Sequence, residues 1–268
     1  MNKHYWGLWS LLLTAFVIFA VMSYWPDGFR VFGMDIKTPS FAQNMRDLTV
    51  VPVDTTTTDS LDADGRLPNG RHPKGWRAPM DTTAKNILFI GDSMLEGLGP
   101  RLAKYCAQNG HTLVEVIWYS SSTKVWGESG RLTNLINEYH PDYIVVCLGA
   151  NELFVQNIKS VRRDFLKKML AEIGNIPYVW IGPPNWTEDT GINELIEEEV
   201  DEGCFYLSAN DKFERSRDGA HPTRPSAALW MDRVAKWIVD TSSHPIRLDY
   251  PGEGSGKASH IVVYQPPK

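Results

Sequence analysis

From Tyr5 to Trp25 the chain carries no charge, and its polar side chains are limited to Ser10, Thr14, Ser23 and tyrosine hydroxyls. About 20 such residues suffice for a helix to cross a bilayer. Trp6, Trp9, Tyr24 and Trp25 fall near the two ends, where interfacial aromatics belong. With Lys3 in front, the pattern predicts a transmembrane anchor over residues 1–25, the N-terminus cytoplasmic and the remainder extracytoplasmic, periplasmic or on the cell surface. A cleaved signal peptide is the competing reading, with Val21-Met22-Ser23 as a weak cleavage site. Residues 26–81 lose the periodicity and gather Pro, Gly, Asp and Thr, so they read as a juxtamembrane segment and linker.

From Asn86 onward strands and helices alternate. Asn86–Ile90, Thr112–Trp118, Tyr143–Leu148, Tyr178–Ile181 and Phe205–Leu207 are the predicted strands. The continuous apolar run Tyr143–Leu148 implies burial on both faces and hence a central parallel strand. Helical spacing predicts helices over Leu98–Gln108, Glu128–Tyr139, Ile158–Ile173, Asn193–Glu202 and Pro225–Val239, the last with Ala228, Trp230, Met231, Val234, Trp237 and Ile238 as its buried stripe. Tyr119 to Gly127 reads as a polar loop. Five such units predict a flavodoxin-like α/β three-layer sandwich with a five-stranded parallel sheet over residues 82–241. Residues 242–268, rich in Pro, Gly and Ser, read as a partly ordered tail.

Composition changes this picture little. The chain has 268 residues, 43% hydrophobic and 22% charged, as globular chains do. Its formal net charge of −5 argues against a nucleic-acid partner. Three Cys and seven His form no CxxC, HExxH or His-x-His pattern, so no metal site and no cofactor is expected.

Candidate chemistry clusters where such sheets place ligands, after the C-terminal ends of strands. Gly91-Asp92-Ser93 follows the first strand, Ser120-Ser121-Ser122-Thr123 the second and Gly149-Ala150-Asn151-Glu152 the third; Asp218-Gly219-Ala220-His221 precedes the last helix. A serine hydroxyl needs a base to become a nucleophile, and His221 is a candidate for Ser93. Asp218, three residues earlier, can orient that imidazole. Backbone N–H groups at Ser93 and in the 120–123 loop, with the Asn151 amide, are candidate donors to a developing oxyanion. Plain alternatives exist: His221 as a loop residue before the helix, Asn151 as a turn residue, Asp92 as a turn-holding side chain. Trp126 and Trp186 lie in predicted loops on the same side, as sugar-stacking platforms or as packing.

The blocks GDSM, GANE and DGAH resemble those of the SGNH/GDSL hydrolase family over about residues 84–240. The resemblance implies a five-stranded parallel sheet between helices, Ser93 as nucleophile, His221 as base, Asp218 as its partner and Asn151 as an oxyanion donor. Two positions depart from the family pattern. The second block lacks its glycine, and Ser122 is the expected replacement; Glu152 stands where Asp is usual and is expected to be structural. The membrane-anchored members of this family imply an O-acetylesterase acting on an envelope or exported glycan. The alternative is an O-acyltransferase working beside a multi-spanning membrane partner that delivers the acyl group; a non-catalytic glycan-binding domain is the third reading.

Overall fold

The computed structural model describes residues 29–31, 34–36, 65–66 and 72–266. The predicted anchor over residues 1–25 lies outside the described residues; among those described, no helix is long and apolar enough to cross a membrane. The chain divides into two units, residues 1–60 and 61–268. In the first, β1 (Phe29–Val31) and β2 (Met34–Ile36) form a short antiparallel pair.

The second unit is an α/β sandwich. Its elements run β3 (Asn86–Gly91), α1 (Leu95–Asn109), β4 (Thr112–Trp118), α2 (Thr123–Ser129), α3 (Arg131–Tyr139), β5 (Tyr143–Cys147), α4 (Ile158–Ile173), β6 (Tyr178–Ile181), α5 (Ile192–Glu199), β7 (Phe205–Tyr206), α6 (Arg224–Asp240) and β8 (His260–Tyr264). The strands pair in the order β7-β6-β5-β3-β4-β8, all parallel. β5 is buried along its whole length, as its uninterrupted apolar run requires of a strand covered on both faces. One face packs α1 and α6 through Leu98, Leu102, Trp230 and Val234. The other packs α2 to α5 through Trp126, Leu135, Leu166 and Leu195. α1 and α6 approach closely at Gly97, where a Cβ would overlap that of Ala227.

The sheet has six strands, not the five predicted. The sixth, β8, comes from residues 242–268, the stretch expected to be partly ordered. Ile261-Val262-Val263-Tyr264 is a β-branched and aromatic run suited to a sheet edge, and β4 supplies the open edge. The Trp118 indole donates to the Gln265 carbonyl at 2.9 Å, and the Arg131 guanidinium lies 4.4 Å from the Tyr264 ring centre. The end of the predicted linker is also built in. The Ala78 N–H donates to the Ser243 carbonyl and Asp81 pairs with the 245–247 backbone.

The 119–139 region also differs. Where a loop and one helix were predicted, α2 and α3 are separate helices broken at Gly130, whose φ of +63° suits glycine.

Candidate active site

β3 ends at Gly91, and the chain turns at once into α1. Asp92 shapes this turn: its Oδ1 accepts the Met94 N–H at 2.9 Å, an Asx-type closure. Its carboxyl is fully buried, and burial pushes its pKa up to about 7. Ser93 is thereby held at the tip of a core strand, its side chain facing the segment before α6.

There the structure brings together the three residues singled out by sequence. Ser93 Oγ lies 2.8 Å from His221 Nε2, and His221 Nδ1 lies 2.8 Å from Asp218 Oδ2. A carboxylate can only accept, so Nδ1 carries the proton and Nε2 is left to receive one from Ser93. Asp218 Oδ1 also accepts the N–H groups of His221 (3.0 Å) and Ala220 (2.9 Å) and the Ser216 hydroxyl (2.9 Å). These donors, the His221 N–H foremost, hold the Asp218 carboxyl well below the usual carboxylate range. Gly219 takes φ +73° to close the loop. Arg215 ties it to the neighbouring strand end, donating to the carbonyls of Ala220 (2.6 Å) and Asn185 (3.2 Å).

The cavity over Ser93 holds about 660 Å³ and is lined by Tyr119, Ser120, His221 and Arg224 among others. Ser122 is not among its lining residues. It caps α2 instead, its Oγ accepting the Val125 N–H at 3.3 Å. The second-block residue at the cavity is Ser120, in the left-handed conformation at φ +56°. Glycine adopts that conformation without strain. Ser120 therefore occupies the position where a glycine fits, two residues before the expected one.

Asn151 reaches back across the sheet end. Its Nδ2 donates to the Ser121 carbonyl at 2.9 Å and to Asp92 Oδ2 at 3.3 Å. Glu152 is fully buried and holds the same loop from the other side. It accepts the Thr123 N–H (2.8 Å), the Thr123 hydroxyl (2.9 Å) and the Arg162 Nε–H (2.7 Å). The third block thus pins the second, with Arg162 balancing the buried charge.

Comparison with known proteins adds the following. Neither a family model nor a curated protein matches the chain. Among solved structures, it is similar to a psychrotrophic esterase, EstA, from Pseudoalteromonas sp., inhibited by monoethylphosphonate (20% identity, 57% of this chain and 96% of that one, TM-score 0.42). It is likewise similar to a lipase/acylhydrolase from Enterococcus faecalis (20% identity, 57% and 95%, TM-score 0.46). A third is TesA (20% identity, 57% and 97%, TM-score 0.42).

The two tryptophans fare differently. Trp126 is no platform. It is fully buried, donates to Ser121 Oγ at 3.0 Å and packs edge-on against Trp118. The polar residues around it suggest a loop, but Ser122 caps a helix whose apolar face turns inward. Trp186 keeps 37% of its surface exposed, with its indole N–H fixed on the Ala150 carbonyl and its ring edge-to-face with Phe154. It does not line the Ser93 cavity. Among the described residues, no group of three or more His, Cys, Asp or Glu side chains is arranged to hold a metal ion.

Proposed function

We propose that this chain is a serine ester hydrolase that works through an acyl-enzyme on Ser93. The observation that carries the reading is the continuous hydrogen-bonded series Ser93–His221–Asp218, with both links at 2.8 Å. In the first step Oγ attacks the ester carbonyl carbon while its proton passes to His221 Nε2. Asp218, an anion throughout, keeps the imidazole in the correct tautomer and stabilises the imidazolium. In this reading the backbone N–H groups of Ser93 and Ser120 and the Asn151 amide donate to the oxyanion. The tetrahedral intermediate then collapses, the C–O bond to the alcohol breaks, and the alcohol leaves with the proton from Nε2. Water repeats the sequence on the acyl-enzyme, releasing the acid and regenerating Ser93.

Our reading of the substrate is a short acyl ester, an O-acetyl group on an envelope or exported glycan. The Ser93 cavity supports it: Ser120, Ser216, Asp218 and Arg224 are poor company for a long hydrocarbon chain, which would strip them of water. The apolar run Tyr5–Trp25, read from sequence as an anchor, supports a domain outside the cytoplasm, where such glycans lie. Transfer of the acyl group to a sugar hydroxyl in place of water, with a membrane partner supplying the donor, is the second reading. It uses the same Ser93 intermediate.

The test is hydrolysis of an aryl acetate by the full chain. Ser93→Ala and His221→Ala are each expected to lose at least about 10³-fold in kcat. Full activity in Ser93→Ala removes the reading.

A further inference from the structure

A second cavity, of about 720 Å³, opens beside the one at Ser93, and Glu96, Gly97 and Arg224 line both. It runs between α1 and α6 and is closed on its far side by Glu253–Gly256, part of the segment leading to β8. We infer that this groove is the subsite for the alcohol side of the ester, a polyhydroxylated chain such as an oligosaccharide. This rests on the ester-hydrolase reading above and names the substrate class for it.

The first argument is position. The shared residues make the two cavities neighbours, so a ligand with its ester carbonyl at Ser93 can continue past Glu96 and Arg224 without leaving the surface. The Glu96 carboxylate is itself held by the Tyr119 hydroxyl.

The second argument is chemistry. Charges of both signs line the groove: Glu96, Asp232 and Glu253 against Arg101 and Arg224. An acyl chain laid there would desolvate them at a cost of several kcal/mol. With Arg101 buried and paired to Asp232, a strongly anionic ligand meets the carboxylates of Glu96 and Glu253, and a cationic one meets the Arg224 guanidinium. Sugar hydroxyls donate and accept, so they pair with both. Pro100, Ala228 and Leu229, the last 48% exposed, offer an apolar strip to the C–H face of a sugar ring.

The third argument is that the wall is built in advance. Arg101 is only 2% exposed. Its Nε donates to Asp232 Oδ1 at 2.6 Å, and its Nη1 to the carbonyls of Gly252 (2.7 Å) and Gly254 (2.9 Å). The guanidinium lies about as far from the Tyr105 ring centre (5.3 Å) as from that of Tyr250 (5.2 Å). Its Nη2 is buried without a hydrogen-bond partner among the described residues. The Gly256 N–H donates to the Pro100 carbonyl at 2.7 Å. The far wall is therefore fixed to α1 at several points, and a ligand pays little to order it.

The experiment uses the full chain and three substrates: an aryl acetate, an aryl octanoate and an O-acetylated xylotetraose. Leu229→Arg obstructs the groove from an exposed position, and Glu253→Gln removes one carboxylate. The expected result is at least a tenfold fall in kcat/KM for the oligosaccharide relative to aryl acetate in Leu229→Arg, carried by KM, and a smaller fall in Glu253→Gln. Binding of unacetylated neutral oligosaccharides to Ser93→Ala, followed by NMR shifts, is expected to weaken in the same order. That arm does not depend on turnover. Ratios within twofold of wild type, no binding of any oligosaccharide, or a selective loss of octanoate activity each overturn the subsite. Aryl acetate turnover that survives Ser93→Ala overturns the ester-hydrolase reading instead.

Discussion

Asn151 donates an amide hydrogen to the Ser121 carbonyl at 2.9 Å, and this bond joins the loop after β5 to the loop after β4. The second amide hydrogen goes to Asp92 Oδ2 at the longer distance of 3.3 Å. Both donors are thus engaged when no substrate is present. In the proposed mechanism the oxyanion takes over the weaker of the two, while the Ser121 bond keeps the side chain in place. Asn151→Ala is expected to lower kcat by about 10²–10³-fold with little change in KM, the signature of a donor used in the transition state. A steady-state comparison on aryl acetate checks this; a loss confined to KM assigns Asn151 to substrate binding instead.

Ser120 gives a separate test of the same oxyanion site. Its φ of +56° is costly for any residue with a Cβ. If its backbone alone matters, Ser120→Gly keeps kcat within about threefold and raises stability by about 0.5–1 kcal/mol, the relief of strain exceeding the cost of a freer unfolded chain. Thermal unfolding and kinetics on one preparation read both quantities. A large loss of kcat assigns the role to the hydroxyl.

The pH profile follows from Asp218. Its pKa is depressed, so the carboxylate is already ionised below the range in which imidazole changes charge. Asp218 therefore adds no step of its own to the kcat/KM profile near neutral pH. Asp92, pushed up to about 7 by burial, titrates in the same range and is the group to exclude. Asp92→Asn keeps an acceptor for the Met94 N–H and is expected to leave the pH profile of kcat/KM unchanged; a profile that shifts in this variant assigns the pH dependence to Asp92.

Stability has its own pH dependence, to which the buried carboxyls of Asp92 and of Glu115 on β4 both contribute. The Glu115 carboxyl is buried beneath α1 at Gly99, one oxygen has no hydrogen-bond partner, and burial, with Glu96 nearby, pushes its pKa from 4.5 up to about 7. Between those two values the unfolded chain has released a proton that the folded chain still holds. Stability from this group is therefore complete below about pH 4.5, declines as pH rises, and levels off above about 7. The swing is at most about 3 kcal/mol. Glu115→Gln is expected to reduce that slope in urea unfolding series at several pH values, leaving the part that Asp92 contributes. An unchanged slope refutes the assignment.

Much of this was legible in the sequence because it is local. Ile87–Ile90 and Tyr143–Cys147 are apolar runs that only a covered strand explains, and Ser93 and His221 stand where a strand and a loop deliver side chains to the C-terminal end of the sheet. What escaped depends on distant partners. β8 is an edge strand whose outward residues, Ile261 and Val263, stay exposed, so it has no buried periodicity of its own. Its place is set by β4, more than 140 residues earlier in the chain. Trp126 went inward because Ser122 begins a helix, a cap signal that a run of Ser and Thr obscures. That Ser120 lines the Ser93 cavity while Ser122 caps α2 depends on the φ of +56° at Ser120 and on the helix start, which composition does not encode.

The most direct test of the central claim is covalent. An alkyl fluorophosphonate is treated as an ester mimic: the Ser93 oxygen bonds to phosphorus, fluoride leaves, and the proton passes to His221. Peptide mass spectrometry of the labelled full chain is expected to place one adduct on Ser93, formed much more slowly in His221→Ala and absent in Ser93→Ala. Labelling at another residue, or a rate indifferent to His221, contradicts the account.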